Sequence, residues 1–135
     1  MERLRPTRIS RRGSGAFEAL LVIPILLAVV LAVVEFALIL SAEQKLAEAS
    51  GVGCRTGSLG HSDHDVRAAV KAVLGDQKYD PDRVHIRRWN APHAGPMIEV
   101  RVDLPAKAAS PNLLRSVGID LSGDTLTGRT VMRVE

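Results

Sequence analysis

A continuous apolar run over Ala19–Leu40 limits the folds that are open to this 135-residue chain. It contains one charged residue, Glu35, and one proline, Pro24. At about 1.5 Å per residue, a helix of this length reaches roughly 33 Å, enough to cross the hydrocarbon core of a bilayer. A core helix of a soluble protein would carry a polar stripe at every third or fourth position, and Leu20–Val34 has none. The run therefore predicts a membrane-spanning helix.

The charges predict the orientation of this helix. The first 13 residues hold five arginines and one glutamate, so the net charge of +3 comes from this tail and not from the rest of the chain. A basic flank stays on the cytoplasmic side, and the C-terminal part is therefore expected to be extracytoplasmic. With one Trp, one Tyr and two Phe, the chain also offers little for base stacking, and no nucleic-acid partner is predicted.

Two carboxylates distinguish the run from an ordinary anchor. Glu18 adjoins it and Glu35 lies inside it, 17 residues later. That spacing corresponds to about 26 Å along a helix, which places one near each face of the bilayer. A carboxylate in the membrane costs a few kcal/mol unless it is paired, protonated or close to the interface, so both are candidate functional residues. The alternative that Glu35 is merely interfacial, at the end of a shorter span, stays open.

The stretch from Arg11 to Glu18 resembles the site that prepilin peptidases cut in type IV pilins. In that family a short basic leader ends in Gly, and Glu is the fifth residue of the mature chain. Cleavage between Gly13 and Ser14 reproduces this spacing for Glu18, whereas cleavage after Gly15 would make it the third residue. The resemblance therefore implies residues 1–13 as a leader. A glycine before the cut also leaves the backbone open to close approach.

The longer stretch Gly13–Arg55 resembles the TadE-like family of minor pseudopilins from tight-adherence pilus systems. The resemblance is carried by an early Glu, a Pro six residues later, a second Glu after a further eleven, and an Ala- and Gly-rich segment ending at an Arg. It implies a bacterial inner-membrane protein that acts in pilus assembly by priming, capping or joining. The implied partners are a prepilin peptidase, other pilins or pseudopilins, the assembly platform and the lipid bilayer. It also implies that Glu18 pairs with the new α-amino group of a neighbouring subunit.

Beyond the membrane, the pattern predicts an α+β fold. An apolar stripe at Leu38, Ala42, Leu46, Ala49 and Val52 extends the helix over residues 14–55, and glycines at 51, 53, 57 and 60 are expected to end it. Residues 56–135 are expected to form a small domain with one or two helices and an antiparallel sheet of about three strands. The predicted elements are a helix from Ser62 to Gly75, strands at Val84–Arg87, Met97–Leu104 and Leu126–Val134, a loop at Asn90–Pro96, and a short helix capped by Ser110–Pro111.

Other candidate sites have simpler interpretations. The cluster His61–Asp65 suggests a metal site, but a helix N-terminus capped by Ser62 explains it without a ligand. Cys54 is the single cysteine, and packing is its expected role, with a disulfide to a second chain as the open alternative. The sequence contains no nucleotide-binding loop, nucleophile elbow or zinc-protease motif. No catalytic, cofactor-binding or metal-binding residue is therefore predicted, and the chain is not expected to be an enzyme.

Three alternatives remain for the apolar run. A cleaved secretory signal is disfavoured by the length of the run, by Glu35 and by the lack of an Ala-x-Ala site. An uncleaved single-pass protein presenting a small binding domain explains the hydrophobicity but leaves the spacing of Gly13 and Glu18 as coincidence. A soluble enzyme would require the run to be a core helix. N-terminal sequencing separates the first two from the processed form.

Overall fold

The computed structural model describes residues 14–120 and 123–135 and contains one long helix followed by a small α+β domain. This confirms the predicted fold class. The elements are α1 (Ser14–Ser58), α2 (Asp63–Leu74), β1 (Val84–Ala91), β2 (Gly95–Pro105), α3 (Ala106–Ala109) and β3 (Thr125–Arg133), with 3₁₀ turns at Pro81–Arg83 and Leu113–Val117. The predicted leader, residues 1–13 with Gly13, lies outside the described residues.

The distal half of α1 forms the centre of the domain. The buried positions of α1 are Glu35, Ala42, Leu46, Ala49, Ser50, Gly53, Cys54, Gly57 and Ser58. They form a stripe with helical spacing that faces the rest of the domain. Leu38 and Val52 were predicted to belong to this stripe, but they are 38% and 40% exposed and lie at its margin. The stripe instead begins with a carboxylate and ends in small residues. It is therefore less apolar than the sequence pattern indicates.

The prediction that Gly51, Gly53 and Gly57 end the helix is wrong. α1 continues through all three to Ser58, and the chain turns at Gly60, whose φ of 82° is the left-handed conformation typical of a helix C-terminus. A Cβ at Gly53 would lie 2.7 Å from Val70 Cγ2, and one at Gly57 would overlap the Ile98 side chain. These two glycines therefore allow close packing of α1 on α2 and the sheet.

Helix α2 begins and ends where its sequence signals predict. Ser62 Oγ accepts the backbone N–H of Asp65 and the Asp65 carboxylate accepts the backbone N–H of Ser62, which forms a capping box. The hydrogen bond from the Ser62 hydroxyl lowers the pKa of Asp65. Val66 and Val70 face α1, and the helix stops at Gly75. These short-range interactions confirm the predicted helix.

The sheet has the order β1-β2-β3 and both pairs are antiparallel. Its three strands confirm the predicted ones but are longer at several ends, so the connection between β1 and β2 is a turn at residues 92–94 and not the predicted seven-residue loop. Ile98, Val100, Val102 and Leu104 are buried against the helices, as the alternation predicts. Cys54 lies beneath them, and the carbonyl oxygens of Ile98 and Thr130, at 3.3 and 3.4 Å, are the two acceptors within reach of its single S–H. Burial raises the pKa of this thiol.

The opposite face of the sheet carries charged residues in pairs. Arg129 Nε lies 2.6 Å from Glu99 Oε1, and Arg101 Nε lies 3.0 Å from Asp103 Oδ1. Burial alone would raise the pKa of Asp103. Hydrogen bonds from Thr127 and Arg101 and the nearby positive charges lower this pKa by more than burial raises it, so the net shift is downward. The Arg129–Glu99 pair joins two strands, whereas Arg101 and Asp103 lie two residues apart on β2. Pairs of opposite charge are typical of a sheet face that contacts water.

Candidate functional site

The N-terminal half of α1 packs on little of the folded domain. By length and composition, α1 is the one described helix able to cross a membrane, and only 6% of its most apolar window is buried. Leu20, Ile23 and Leu27 are 71%, 61% and 57% exposed. Apolar exposure on this scale marks a contact with lipid or with other proteins. Pro24 is accommodated inside the helix.

Glu18 lies at the exposed end of this apolar surface. Ser14, the first residue of α1, precedes it by one helical turn, so the two backbone positions lie on the same side of the helix. The Glu18 side chain is exposed, and none of the described residues forms a hydrogen bond or an ion pair with it. The carboxylate is thus available to a group from outside the described chain.

Glu35 has the opposite environment. Its side chain is 0% exposed although it lies within the apolar run. The Ser110 hydroxyl donates to Oε1 at 2.8 Å, and the backbone N–H of Leu114 donates to Oε2 at 2.6 Å. Burying a carboxyl group is costly unless its oxygens are hydrogen-bonded, and both oxygens of Glu35 are. Glu35 is therefore the point where the chain between β2 and β3 attaches to α1.

The segment that binds Glu35 differs in detail from the predicted capped helix. A short helical turn does form at Leu113–Val117, but the residue that precedes it, Asn112, has φ of 58° and makes no side-chain cap. Ser110 Oγ, the predicted cap, instead donates to Glu35, while it also accepts the N–H of Asn112 at 3.4 Å. The carboxylate of Glu35 thus takes the place of a local cap by accepting an N–H of the first turn.

An apolar groove continues from Glu35 toward the start of α1. Residues 24–32 of the helix form one wall, and Leu114 and Ile119 form the other. Ile119 is 51% exposed, so the groove opens to the outside of the domain. The sequence analysis did not identify this groove. The sequence did contain one indication of it. Glu35 is spaced so that it lies on the same helical face as Ala42, Leu46 and Ala49, which are buried in the domain.

The suggested metal cluster has other roles in the structure. Asp65 closes the capping box with Ser62, and Asp63 Oδ1 accepts from Arg88 Nη2 at 2.9 Å. The same guanidinium donates to the carbonyl oxygen of His61, so it holds the turn between α1 and α2 against β1. Within residues 14–120 and 123–135, no three metal-ligating side chains are grouped to hold an ion. The capping box accounts for Asp65, and the pair with Arg88 accounts for Asp63.

Comparison with known families matches residues 13–55 to the TadE-like protein family. This confirms the resemblance over the residues on which it was based. The match includes Glu18, Glu35 and all but the last turn of α1, and it covers about a third of the chain. No curated protein and no solved structure shows significant similarity to the chain.

Proposed function

We propose, from the TadE-like match over residues 13–55, that this chain is a minor pseudopilin of a tight-adherence pilus system. Its role is structural: it primes, caps or joins pilus subunits in the inner membrane and carries out no chemistry of its own. The observation that carries the proposal is the coincidence of this match with one continuous 45-residue helix. The N-terminal half of that helix is bare and apolar, and its distal half is the core of a small domain.

Two environments of one helix support this role. Before assembly, the bare half spans the bilayer, with the basic residues 1–13 on the cytoplasmic side and the α+β domain in the periplasm. During assembly, the same apolar surface is available to helices of neighbouring subunits. Because nothing in the described chain covers Leu20, Ile23 or Leu27, no part of the domain must move before a neighbour packs there.

Glu18 determines how neighbouring helices align along their axes in that packing. Cleavage after Gly13 leaves an α-amino group on Ser14, and this amine pairs with the exposed Glu18 of an adjacent helix in a medium of low dielectric constant. A misaligned neighbour would leave the carboxylate buried and unpaired, which costs several kcal/mol. The pair therefore selects one axial register among helices whose apolar surfaces alone would allow many.

The first test is processing. Membrane-extracted protein that is co-expressed with its cognate prepilin peptidase is expected to begin at Ser14 by N-terminal sequencing and intact mass, and to begin at residue 1 without the peptidase. Gly13→Val should block cleavage because the side chain obstructs the backbone approach at the cut. Gly15→Ala is the matched control, since a Cβ there meets nothing within 4 Å.

The processing proposal has a clear contrary result. An intact N-terminus in the presence of an active cognate peptidase would remove the pseudopilin assignment. It would leave the alternative of an uncleaved single-pass membrane protein that presents a small binding domain.

Replacement of Glu18 by alanine tests assembly separately from processing. Cleavage and membrane content are expected to stay normal, because the carboxylate is exposed and supports no described contact. Pilus yield in sheared fractions is expected to fall at least roughly tenfold, which corresponds to about 1.4 kcal/mol and is less than the cost of one unpaired buried charge. Glu43→Ala is the control, because Glu43 is exposed on the same helix beyond the apolar run. Normal yield in Glu18→Ala would contradict the pairing.

A further inference from the structure

The depth of the groove beside α1 follows from the length of the apolar run. A helix needs about 20 apolar residues to cross the hydrocarbon core. Any window of that length within Ala19–Leu40 contains all of residues 24–32 and also Glu35. The outer end of such a window lies at least six residues beyond position 32, or roughly 9 Å along the helix. Residues 24–32 are therefore inside the hydrocarbon whenever α1 spans the membrane.

The chain between β2 and β3 reaches this same level of α1. It attaches at Glu35 through Ser110 and Leu114, and Leu114 and Ile119 then form the wall of the groove opposite residues 24–32. The segment thus extends from Glu35 toward the N-terminal end of α1, away from the sheet. If α1 spans the bilayer, the segment lies in the bilayer beside it.

Several polar groups of the segment have hydrogen-bond partners within the chain, as hydrocarbon requires. The backbone N–H of Leu114 donates to Glu35, and that of Ile119 donates to the Leu114 carbonyl oxygen at 3.1 Å. The Ser116 hydroxyl donates to the Leu113 carbonyl oxygen at 2.8 Å. Non-helical backbone is tolerated at membrane depth only when its groups have such partners, so the bonding pattern suits a lipid environment.

The side chains fit the same environment. Leu113, Leu114 and Ile119 are apolar, and Ile119 is 51% exposed toward the groove opening. Arg115 is the one residue of the segment with a full charge, and its side chain is exposed, long enough to extend toward the headgroups. Next to the segment, Asn112 Nδ2 donates to Asp120 Oδ1 at 2.7 Å, which holds the two ends of the segment together.

We propose that residues 113–119 form a second membrane-embedded element, a re-entrant turn that enters the bilayer from the extracytoplasmic side and is anchored to α1 by buried Glu35, with lipid acyl chains filling the groove. The proposal rests on the membrane-spanning role of α1 in the proposed function. It gives the domain a fixed attachment to the bilayer surface, because the domain is held at two points instead of one. In this proposal Glu35 accepts hydrogen bonds from polar groups of the segment at a depth where water cannot solvate them.

Site-directed spin labelling of the full chain tests the depth of the turn. The label is placed at Ile119→Cys in a Cys54→Ala background, and the protein is reconstituted in phosphatidylethanolamine–phosphatidylglycerol liposomes. Leu27→Cys, in the middle of the apolar run, and Leu59→Cys, in the turn after α1, are the two controls. All three positions are more than half exposed in the fold, so a label at each is accommodated. Accessibility is measured to molecular oxygen, which enters lipid, and to a polar nickel complex, which stays in water.

The Ile119 label is expected to resemble the Leu27 label. Its nickel accessibility should be at least roughly tenfold below that of Leu59, because polar solutes partition poorly into hydrocarbon, while oxygen reaches it freely. Nickel accessibility equal to that of Leu59, with Leu27 protected, would overturn this proposal and leave the proposed function intact. Protection of Ile119 from both reagents would show that protein and not lipid covers the groove, and would also overturn it. Nickel accessibility at Leu27 would overturn the membrane-spanning role itself and both proposals with it.

Discussion

Alanine at Gly128 is expected to destabilise the domain by about 3 kcal/mol or more, at the upper end of the cost of overpacking. A Cβ at this position of β3 would overlap the backbone carbonyl group of Leu46 in α1. The new Cβ is fixed to the main chain of β3, and the atoms that it meets belong to the main chain of α1. No side-chain rotation can therefore relieve the overlap, and the helix and the strand must separate. Since small domains have a total stability of about 5–15 kcal/mol, this single methyl group removes a large fraction.

The measurement is urea unfolding of the full chain in nanodiscs, followed by the fluorescence of Trp89, the single tryptophan. Gly51→Ala is the matched control, because a Cβ there meets nothing within 4 Å and the position is inside α1. That substitution should stabilise the helix by about 0.5–1 kcal/mol. If Gly128→Ala unfolded at the same urea concentration as the natural chain, α1 and β3 would not approach each other as closely as the structure has them.

Glu35→Ala is expected to release the segment that is attached to α1. It leaves the Ser110 hydroxyl and the Leu114 N–H without their acceptor in a buried position, and each such loss costs about 1–3 kcal/mol. A loss of about 3 kcal/mol corresponds to roughly hundredfold faster amide exchange. Hydrogen–deuterium exchange with mass spectrometry, on the full chain in nanodiscs, should locate the change in residues 110–119. Exchange in β2 should change less, because its amides pair within the sheet.

Two further variants separate the causes of this effect. Glu35→Gln keeps the shape and one of the two acceptor oxygens, so its effect should be intermediate. Glu43→Ala removes an exposed carboxylate from the same helix and should stay within about 0.5 kcal/mol of the natural chain. Unchanged exchange of residues 110–119 in Glu35→Ala would show that the carboxylate does not hold the segment.

The features that the sequence predicted well depend on neighbours that are close along the chain. The capping box of α2 involves Ser62 and Asp65, three residues apart, and the alternation from Ile98 to Leu104 follows from the two-residue repeat of a strand. The apolar run and the TadE-like pattern over residues 13–55 are also continuous in sequence. Such signals give the type of each element because they do not require knowledge of what packs on it.

The misassigned glycines show where that reasoning fails. Gly53 and Gly57 have the composition of a helix end, yet α1 continues through them. These positions need glycine because Val70 and Ile98 leave no room for a side chain. Gly128 likewise has no local turn to explain it, and its role appears only when Leu46 is beside it. A glycine needed for close approach and a glycine needed for a turn look the same in the sequence. Only the packed partner distinguishes them.

Glu35 shows most clearly which properties follow from the sequence and which follow from the fold. The order of residues is enough to show that a carboxyl group interrupts an apolar helix and that Glu18 stands at the fifth position after Gly13. The folded chain adds that Glu35 is buried and accepts hydrogen bonds from Ser110 and Leu114, 75 and 79 positions away. A buried carboxyl group depends on hydrogen-bond donors that the fold brings to it. Hydrophobic periodicity can be read from neighbouring residues, whereas hydrogen-bond partners that are distant in sequence meet only when the chain folds.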